Sequence, residues 1–180
     1  MMLEIIFLGR GGQGAFTSSR ILGAAASLYE EKHSLSFPSF GPERRGAPVF
    51  AYTKVSDVPI RDRSQSTKSN YIVILDESLY TEALLLKLKE KGKIFINSVH
   101  ESKYPNENII TFGATHIATE FLGAPITNTA MLAVLICYTG IVSIESLIKA
   151  INEDLSHKVA VKNQRLVKHI AAKIGGTTHV

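Results

Sequence analysis

Short apolar runs that indicate β-strands alternate along this chain with stretches whose apolar residues recur at helical spacing. The first run, residues 3–8, precedes a stretch in which Ile21, Leu22 and Ala25 share one helix face. Further strands are predicted at residues 33–37, 71–76, 93–98 and 108–112, and helices at residues 15–29, 79–91, 116–122, 129–138, 144–152 and 158–174. This alternation predicts an α/β fold, a three-layer α/β/α Rossmann-like sandwich with a mostly parallel sheet.

Two extended pieces interrupt the alternation. Residues 49–53 and 58–61 flank a short turn and predict an antiparallel hairpin, in which Pro59 favours an edge strand. The predicted sheet is therefore mixed. Asn128 and Ser143 are expected to cap two of the later helices. The whole chain, residues 1–180, is expected to form a single domain whose last residues, 175–180, are a disordered tail.

Four glycines stand in six positions directly after the first strand, in the sequence Gly9-Arg10-Gly11-Gly12-Gln13-Gly14. A strand that turns sharply into a helix through glycines presents unobstructed backbone N–H groups at the positive end of that helix. The sequence therefore predicts a site for a phosphate or pyrophosphate. The candidate binding residues are Gly11, Gly12, Gln13 and Gly14, with hydroxyl donors from Thr17 and Ser18 on the first helical turn.

The same letters fit the dinucleotide fingerprint G-x-G-x-x-G, so a free-standing NAD(P)-binding oxidoreductase is an alternative. That fingerprint also needs an acidic residue about 20 positions further on, at the end of the second strand. Here Glu30 and Glu31 come too early, and the second predicted strand ends without a carboxylate. Asp76, His100 and Tyr104 are candidate catalytic residues for such an enzyme, but no motif spacing connects them. A third possibility is that the glycines serve only the turn.

Cysteine and histidine usage limits the chemistry of the chain. The single cysteine, Cys137, allows no internal disulfide and cannot hold an iron–sulfur cluster, and the six histidines are scattered. No metal site is predicted. The apolar run at residues 130–137 is shorter than the roughly 20 residues that cross a bilayer, and no signal peptide is evident at the N-terminus. We expect a cytoplasmic protein without membrane contact.

The charge balance is mildly basic, with 20 Lys and Arg against 16 Asp and Glu. Residues 155–180 hold five of these cations and no acid, which is the best support for a nucleic-acid-binding module. A solvated helix face explains the same segment more simply. We therefore expect no nucleic-acid partner.

A loop at residues 36–48 carries three prolines, two glycines and two adjacent arginines. We expect one of Arg44 and Arg45 to pair with Glu43 or a buried carboxylate, which would fix the loop. The other is expected to face a partner subunit or an anionic ligand, because guanidinium groups suit carboxylate and phosphate recognition.

Two segments together resemble one family. Residues 9–15, Gly-Arg-Gly-Gly-Gln-Gly-Ala, and residues 37–48, Phe-Pro-Ser-Phe-Gly-Pro-Glu-Arg-Arg-Gly-Ala-Pro, resemble the gamma subunit of 2-oxoacid:ferredoxin oxidoreductases. The resemblance extends through residues 59–61, 73–76, 96–98 and 127–132, so it spans nearly the whole chain. Arg44, Arg45 and Asn128, which lie in these segments, are also candidate cofactor-binding residues. The Arg-Gly-Ala-Pro at residues 45–48 is most similar to the pyruvate branch of the family.

The resemblance implies a subunit of a complex that oxidatively decarboxylates a 2-oxoacid with coenzyme A to acyl-CoA and CO2, and reduces ferredoxin or flavodoxin. It implies partner subunits of the alpha, beta and delta types, with thiamine diphosphate between alpha and beta and the iron–sulfur clusters in beta and delta. A gamma subunit is expected to help bind coenzyme A, to hold no catalytic residue and to be inactive alone. An anion site without the ribose-binding acid fits a pyrophosphate-bearing ligand other than NAD.

Overall fold

A computed structural model describes residues 1–39 and 46–177 of the chain, and the side chains up to residue 176. The loop expectations for Glu43, Arg44 and Arg45 lie outside the described residues. The centre of the fold is a six-stranded sheet with the strand order β2-β3-β1-β4-β5-β6. Its strands are β1 (Met2–Arg10), β2 (His33–Pro38), β3 (Pro48–Ser56), β4 (Ser69–Ile74), β5 (Leu88–Asn97) and β6 (Ile109–Phe112).

The sheet is mixed and mostly parallel, as predicted. β1, β4, β5 and β6 pair in parallel, whereas β3 is antiparallel to both of its neighbours. The hairpin itself was predicted wrongly, because β3 pairs with β2 and residues 58–61 belong to no strand. The β2–β3 pairing places Phe37 against Tyr52, whose stacked ring centroids are 5.3 Å apart, whereas Pro59 has no N–H for a ladder.

Five α-helices lie in the described part of the chain: α1 (Ala15–Tyr29), α2 (Ala114–Leu122), α3 (Asn128–Thr139), α4 (Ile144–Asp154) and α5 (His157–Thr177). The Ser143 hydroxyl caps α4 by accepting from the Ser146 N–H, as predicted. The cap predicted at Asn128 is wrong by one residue, because Thr127 is the N-cap of α3. α5 continues through the two glycines at 175 and 176, where the sequence predicted a tail.

The helix predicted at residues 79–91 does not form. Two short 3₁₀ turns, Glu77–Leu79 and Glu82–Lys87, occupy this stretch, and β5 begins at Leu88. Ser69 at the start of β4 pairs with Leu88. The last residues of the predicted helix therefore form the first part of strand β5. Leu84, which the helix prediction placed on an apolar helix face, packs into the core beneath the 3₁₀ turns.

Alternate residues of the central strands are buried on opposite faces of the sheet. Ile5 and Phe7 of β1 face a core to which all five helices contribute. Ile6 and Leu8 face a second core closed by the 3₁₀ segments and Tyr104, and no α-helix of the described chain packs there. The α/β class is confirmed, with 3₁₀ turns and loops in place of helices as the second outer layer.

The connections place a topological switch point at the carboxyl end of β1. After β1 the chain builds β2 and β3 on one side, and then returns to place β4 on the other side of β1. In open α/β sheets, ligands bind in the crevice at such a point, beyond the carboxyl ends of the strands. The glycine loop, residues 9–14, lies at this position.

Candidate functional site

The glycine loop turns the chain from β1 into α1 through two left-handed residues. Gly12 has φ 94° and Gly14 has φ 83°, a backbone region in which residues with a side chain are strained. The Gly11 N–H donates to the Ala47 carbonyl at 2.9 Å, and the Gln13 N–H donates to the Arg10 carbonyl at 2.9 Å. These two bonds fix the turn and attach it to the start of β3.

Several other backbone donors of the loop are free. Within the described chain, no acceptor bonds the N–H groups of Gly12, Gly14 or the first helical turn, residues 15–17. The first helical hydrogen bond runs from the Ser18 N–H to the Gly14 carbonyl at 3.0 Å. Unpaired N–H groups at a helix N-terminus carry partial positive charge and suit an anion. A Cβ at Gly12 would meet no atom of the described chain within 4 Å, so among these residues nothing fills the space in front of Gly12.

Gly14 has a packing role that the sequence analysis did not anticipate. A Cβ built there would lie 2.5 Å from Nδ2 of Asn128, the first residue of α3. The Asn128 amide also donates to the Gly14 carbonyl at 3.5 Å. The fold therefore places Asn128, one of the candidate residues, beside the glycine loop. A side chain at Gly14 would collide with Asn128, and would not simply shield the backbone donors from a ligand.

Three other candidate residues of the loop and α1 differ in their surroundings. Ser18 is fully buried and its hydroxyl has no hydrogen-bond partner among the described residues, so it does not present a donor to the open side of the loop. Thr17, one position earlier, is partly exposed. The Gln13 side chain binds the protein itself, since its Oε1 accepts from the Arg10 N–H at 2.6 Å. Gln13 thus shapes the loop rather than projecting from it.

An ion pair that sequence reasoning missed spans the switch point. Arg10 Nε lies 3.0 Å from Asp76 Oδ2, which joins the end of β1 to the residues after β4. The remaining guanidinium nitrogens donate to the Gly46 carbonyl at 3.1 Å and the Ser78 hydroxyl at 2.7 Å. Burial raises the pKa of Asp76, but hydrogen bonds from Ser78, Gln13 and Arg10 outweigh burial and lower the pKa below its ordinary value.

The next strand contributes two further polar groups at the same edge. Asn97 Nδ2 donates to the Leu75 carbonyl at 3.0 Å, and its Oδ1 accepts from the Ala114 N–H at 3.0 Å, which connects β4, β5 and α2. Glu77 accepts hydrogen bonds from the Ser98 hydroxyl at 2.6 Å and the Tyr104 hydroxyl at 3.1 Å. The Ser98 bond contributes most to a lowered pKa of Glu77.

The structure does not unite the candidate catalytic residues of the oxidoreductase alternative. Asp76 is paired with Arg10, Tyr104 is paired with Glu77, and no bond joins either one to His100 in the described chain. The described residues contain no cluster of His, Cys, Asp and Glu that could hold a metal. Burial raises the pKa of the Cys137 thiol. None of the described helices is both long enough and apolar enough to span a bilayer.

Comparison with known proteins identifies the family of the chain. The family model for pyruvate ferredoxin/flavodoxin oxidoreductase matches residues 4–172. Pyruvate synthase subunit PorC of Methanothermobacter marburgensis is 48% identical over 163 residues, covering 90% of this chain and 92% of the relative. The common subunit gamma of the pyruvate/ketoisovalerate oxidoreductases of Thermococcus litoralis is 42% identical, covering 96% of this chain and 97% of the relative.

A solved structure extends the similarity to the fold. The crystal structure of pyruvate oxidoreductase subunit PORC from Thermotoga maritima superposes with a TM-score of 0.81 at 30% identity, covering 94% of this chain and 95% of the other. Sheet, switch point and glycine loop define a Rossmann-like α/β protein. The chain belongs to the pyruvate ferredoxin/flavodoxin oxidoreductase family, and within that family it is a gamma-type subunit. The resemblance seen in its sequence is confirmed.

Proposed function

We propose that this chain helps bind coenzyme A in a complex of alpha, beta, gamma and delta subunits that oxidatively decarboxylates a 2-oxoacid, pyruvate in particular. The complex forms acyl-CoA and CO2 and reduces ferredoxin or flavodoxin. Thiamine diphosphate and the iron–sulfur clusters belong to the partner subunits. This chain holds no catalytic residue and is inactive alone.

The observation that carries the proposal is the set of N–H groups at Gly12, Gly14 and residues 15–17, which have no acceptor among the residues that the structure describes. N–H groups at a glycine turn and a helix N-terminus are donors from which a phosphate group can accept charge-assisted hydrogen bonds. Arg10 lies beside the loop with its side chain 38% exposed, and Asp76 balances its charge. Thr17 stands on the same turn as a further donor. Coenzyme A supplies a pyrophosphate for these donors and a thiol that accepts the acyl group.

The arrangement of the sheet favours coenzyme A over NAD. In a dinucleotide-binding fold, the strand beside β1 is parallel and ends in the acid that holds the ribose. Here the neighbour on that side is the antiparallel strand β3, and β2 lies one position further out. The end of β2 is Pro38, without a carboxylate. The position for a ribose-binding acid is therefore absent from this side of the described site, and the free-standing NAD(P) enzyme is not favoured.

The experiment is a comparison of Gly12→Val with Gly123→Val in the reconstituted complex. Both glycines have positive φ and open space where a Cβ would stand, so the two variants carry similar backbone strain. Gly123 is the C-cap residue of α2, which is not part of the glycine loop. Obstructing two charge-assisted bonds costs on the order of 3 kcal/mol, or roughly a hundredfold in affinity. We expect Gly12→Val to raise the KM for coenzyme A by about that factor, with normal assembly.

Gly123→Val is expected to leave the KM for coenzyme A unchanged. Equal KM values for the two variants and the wild type would contradict the proposal and leave the glycines a role in the turn alone. Subunit assembly is measured in parallel by analytical ultracentrifugation, so that a failure to associate is not taken for a loss of coenzyme A binding.

A further inference from the structure

The exposed side of α5 carries a row of basic side chains. Lys158, Lys162, Arg165 and His169 follow one another at intervals of four, three and four residues, which places them on one helix face, and all four are exposed. We call these four residues the α5 stripe. No ion pair joins the stripe to a carboxylate of the described chain, and the carboxylate of nearby Asp154 is paired with Arg20 at 2.7 Å. Within the chain, Lys162 Nζ donates to the Leu122 carbonyl at 3.4 Å and the His169 ring packs against Phe121, and neither contact supplies a carboxylate. The stripe therefore offers cationic groups to an acidic partner.

An apolar cavity opens beside the first turns of the stripe. It has a volume of about 270 Å³, and its walls include Leu122, Ile126, Leu155 and Val159. Ile126 and Val159 are 50% and 46% exposed, which is unusual for aliphatic side chains this close together. The volume is below the usual range for a whole small-molecule site, about 300–1,000 Å³, and it suits one large side chain.

A buried polar side chain stands in the wall of the cavity. Asn163 lines it and is only 4% exposed. Its Nδ2 donates to the Val159 carbonyl at 2.9 Å, whereas its Oδ1 has no partner in the described structure. A buried polar atom without a partner costs free energy, and Asn163 Oδ1 is itself closed off from solvent. The groups that the cavity offers to a docked side chain are therefore its apolar walls.

We propose that the α5 stripe and this cavity dock a segment of a partner subunit in which a bulky apolar side chain is flanked by carboxylates. The apolar side chain enters the cavity, and the carboxylates face the stripe. This inference rests on the proposed multi-subunit function. A nucleic acid would use the stripe alone, because a phosphate backbone offers nothing for an apolar cavity.

The test measures the affinity of this chain for its partner subunits at several salt concentrations, using Lys158→Glu and Val159→Glu. Both residues are exposed, so neither change disturbs the core. Lys68→Glu and Val58→Glu introduce the same changes at exposed positions between β3 and β4, and serve as matched controls. We expect each α5 variant to weaken assembly about tenfold or more, and each control to remain within about twofold.

Wild-type affinity in both α5 variants would overturn the proposal. So would a loss confined to Lys158→Glu with a parallel loss of binding to duplex DNA or single-stranded RNA, which would identify a polyanion surface. A photo-crosslinker at Ile126 in the assembled complex is expected to capture a carboxylate-rich segment, and capture of a segment without carboxylates would contradict the inference. The KM for coenzyme A, measured at saturating subunit concentrations, reports separately on the glycine loop.

Discussion

At the level of single residues, Arg10 and Asp76 hold the candidate site together. Arg10 joins the glycine loop to Asp76, to Ser78 and to the Gly46 carbonyl. Asp76 in turn accepts from the Ser78 N–H at 3.0 Å and from the Gln13 amide at 3.3 Å. One carboxylate thus fixes both the loop after β1 and the turn after β4, and the open face of the loop depends on it.

Asp76→Asn is expected to lower the free energy of unfolding at neutral pH by on the order of 2 kcal/mol, because charge-assisted bonds from Arg10 and Ser78 are weakened. The folded-state pKa of Asp76 is lowered, so its contribution is present above the ordinary carboxyl pKa of about 3.9 and is lost as the pH falls through the folded pKa. Urea unfolding between about pH 7 and pH 2 measures both effects.

The variant should therefore lose less stability than the wild type as the pH falls below about 4. Glu107→Gln is a suitable control, since the Glu107 carboxyl makes no hydrogen bond in the described structure and is exposed. Parallel pH profiles for the wild type and Asp76→Asn would show that the Arg10–Asp76 pair contributes nothing to folding.

Sequence reasoning located part of this site and missed the rest for identifiable reasons. The glycine spacing directly after a strand predicts the loop and its free donors from local chemistry. Arg10 and Asp76 are 66 residues apart in the sequence, so no local pattern indicates that they pair. The burial of Ser18 could have been predicted, because Ser18 precedes Ile21 and Leu22 by three and four positions on the buried face of α1.

At the level of elements, the glycine loop is also the contact between the start of α1 and the start of α3. Asn128 stands where a Cβ of residue 14 would be, so α3 can approach the loop only because residue 14 has no side chain. This contact fixes the position of α3 relative to the free N–H groups of the loop. Gly14 and Gly12 both have a positive φ, but a Cβ would meet Asn128 only at residue 14. Substitutions at the two positions therefore distinguish backbone strain from a packing collision.

Gly14→Ala is therefore expected to destabilise the chain more than Gly12→Ala. Both alanines carry the strain of a left-handed backbone, about 1 kcal/mol, and only the first collides with Asn128. We expect Gly14→Ala to cost on the order of 2–3 kcal/mol in urea unfolding. Replacing Asn128 by Gly in the same chain should recover the difference between the two alanine variants. Equal stabilities for Gly12→Ala and Gly14→Ala would refute the packing role of Gly14.

Helices were predicted correctly where the apolar spacing and the capping residue indicated the same boundaries. The prediction failed where residues with helical spacing pair with a strand instead. The boundaries of α1 and α4 follow from apolar spacing and, in α4, from the Ser143 cap. The predicted helix at residues 79–91 failed because three leucines mimic a helix face while the neighbouring strand β4 pairs with Leu88. Whether two distant segments pair as strands depends on the packing of the whole sheet, so a local sequence pattern cannot predict it.

At the level of the whole molecule, the chain is a gamma-type member of an oxidoreductase family. Two of its surfaces differ in the groups that they present. The carboxyl edge of the sheet presents the glycine loop, and the outer side of α5 presents the stripe and the cavity beside it. We propose that the first surface meets coenzyme A and the second meets a partner subunit. The fold class was predictable because alternating strands and helices allow few architectures.

The most direct test of the central claim is a structure of the assembled complex with coenzyme A bound. We predict that the pyrophosphate oxygens lie within hydrogen-bonding distance, about 2.7–3.2 Å, of the backbone N–H groups of Gly12, Gly14 or residues 15–17. Coenzyme A phosphates bound elsewhere, with the glycine loop facing only solvent or protein, would contradict the account.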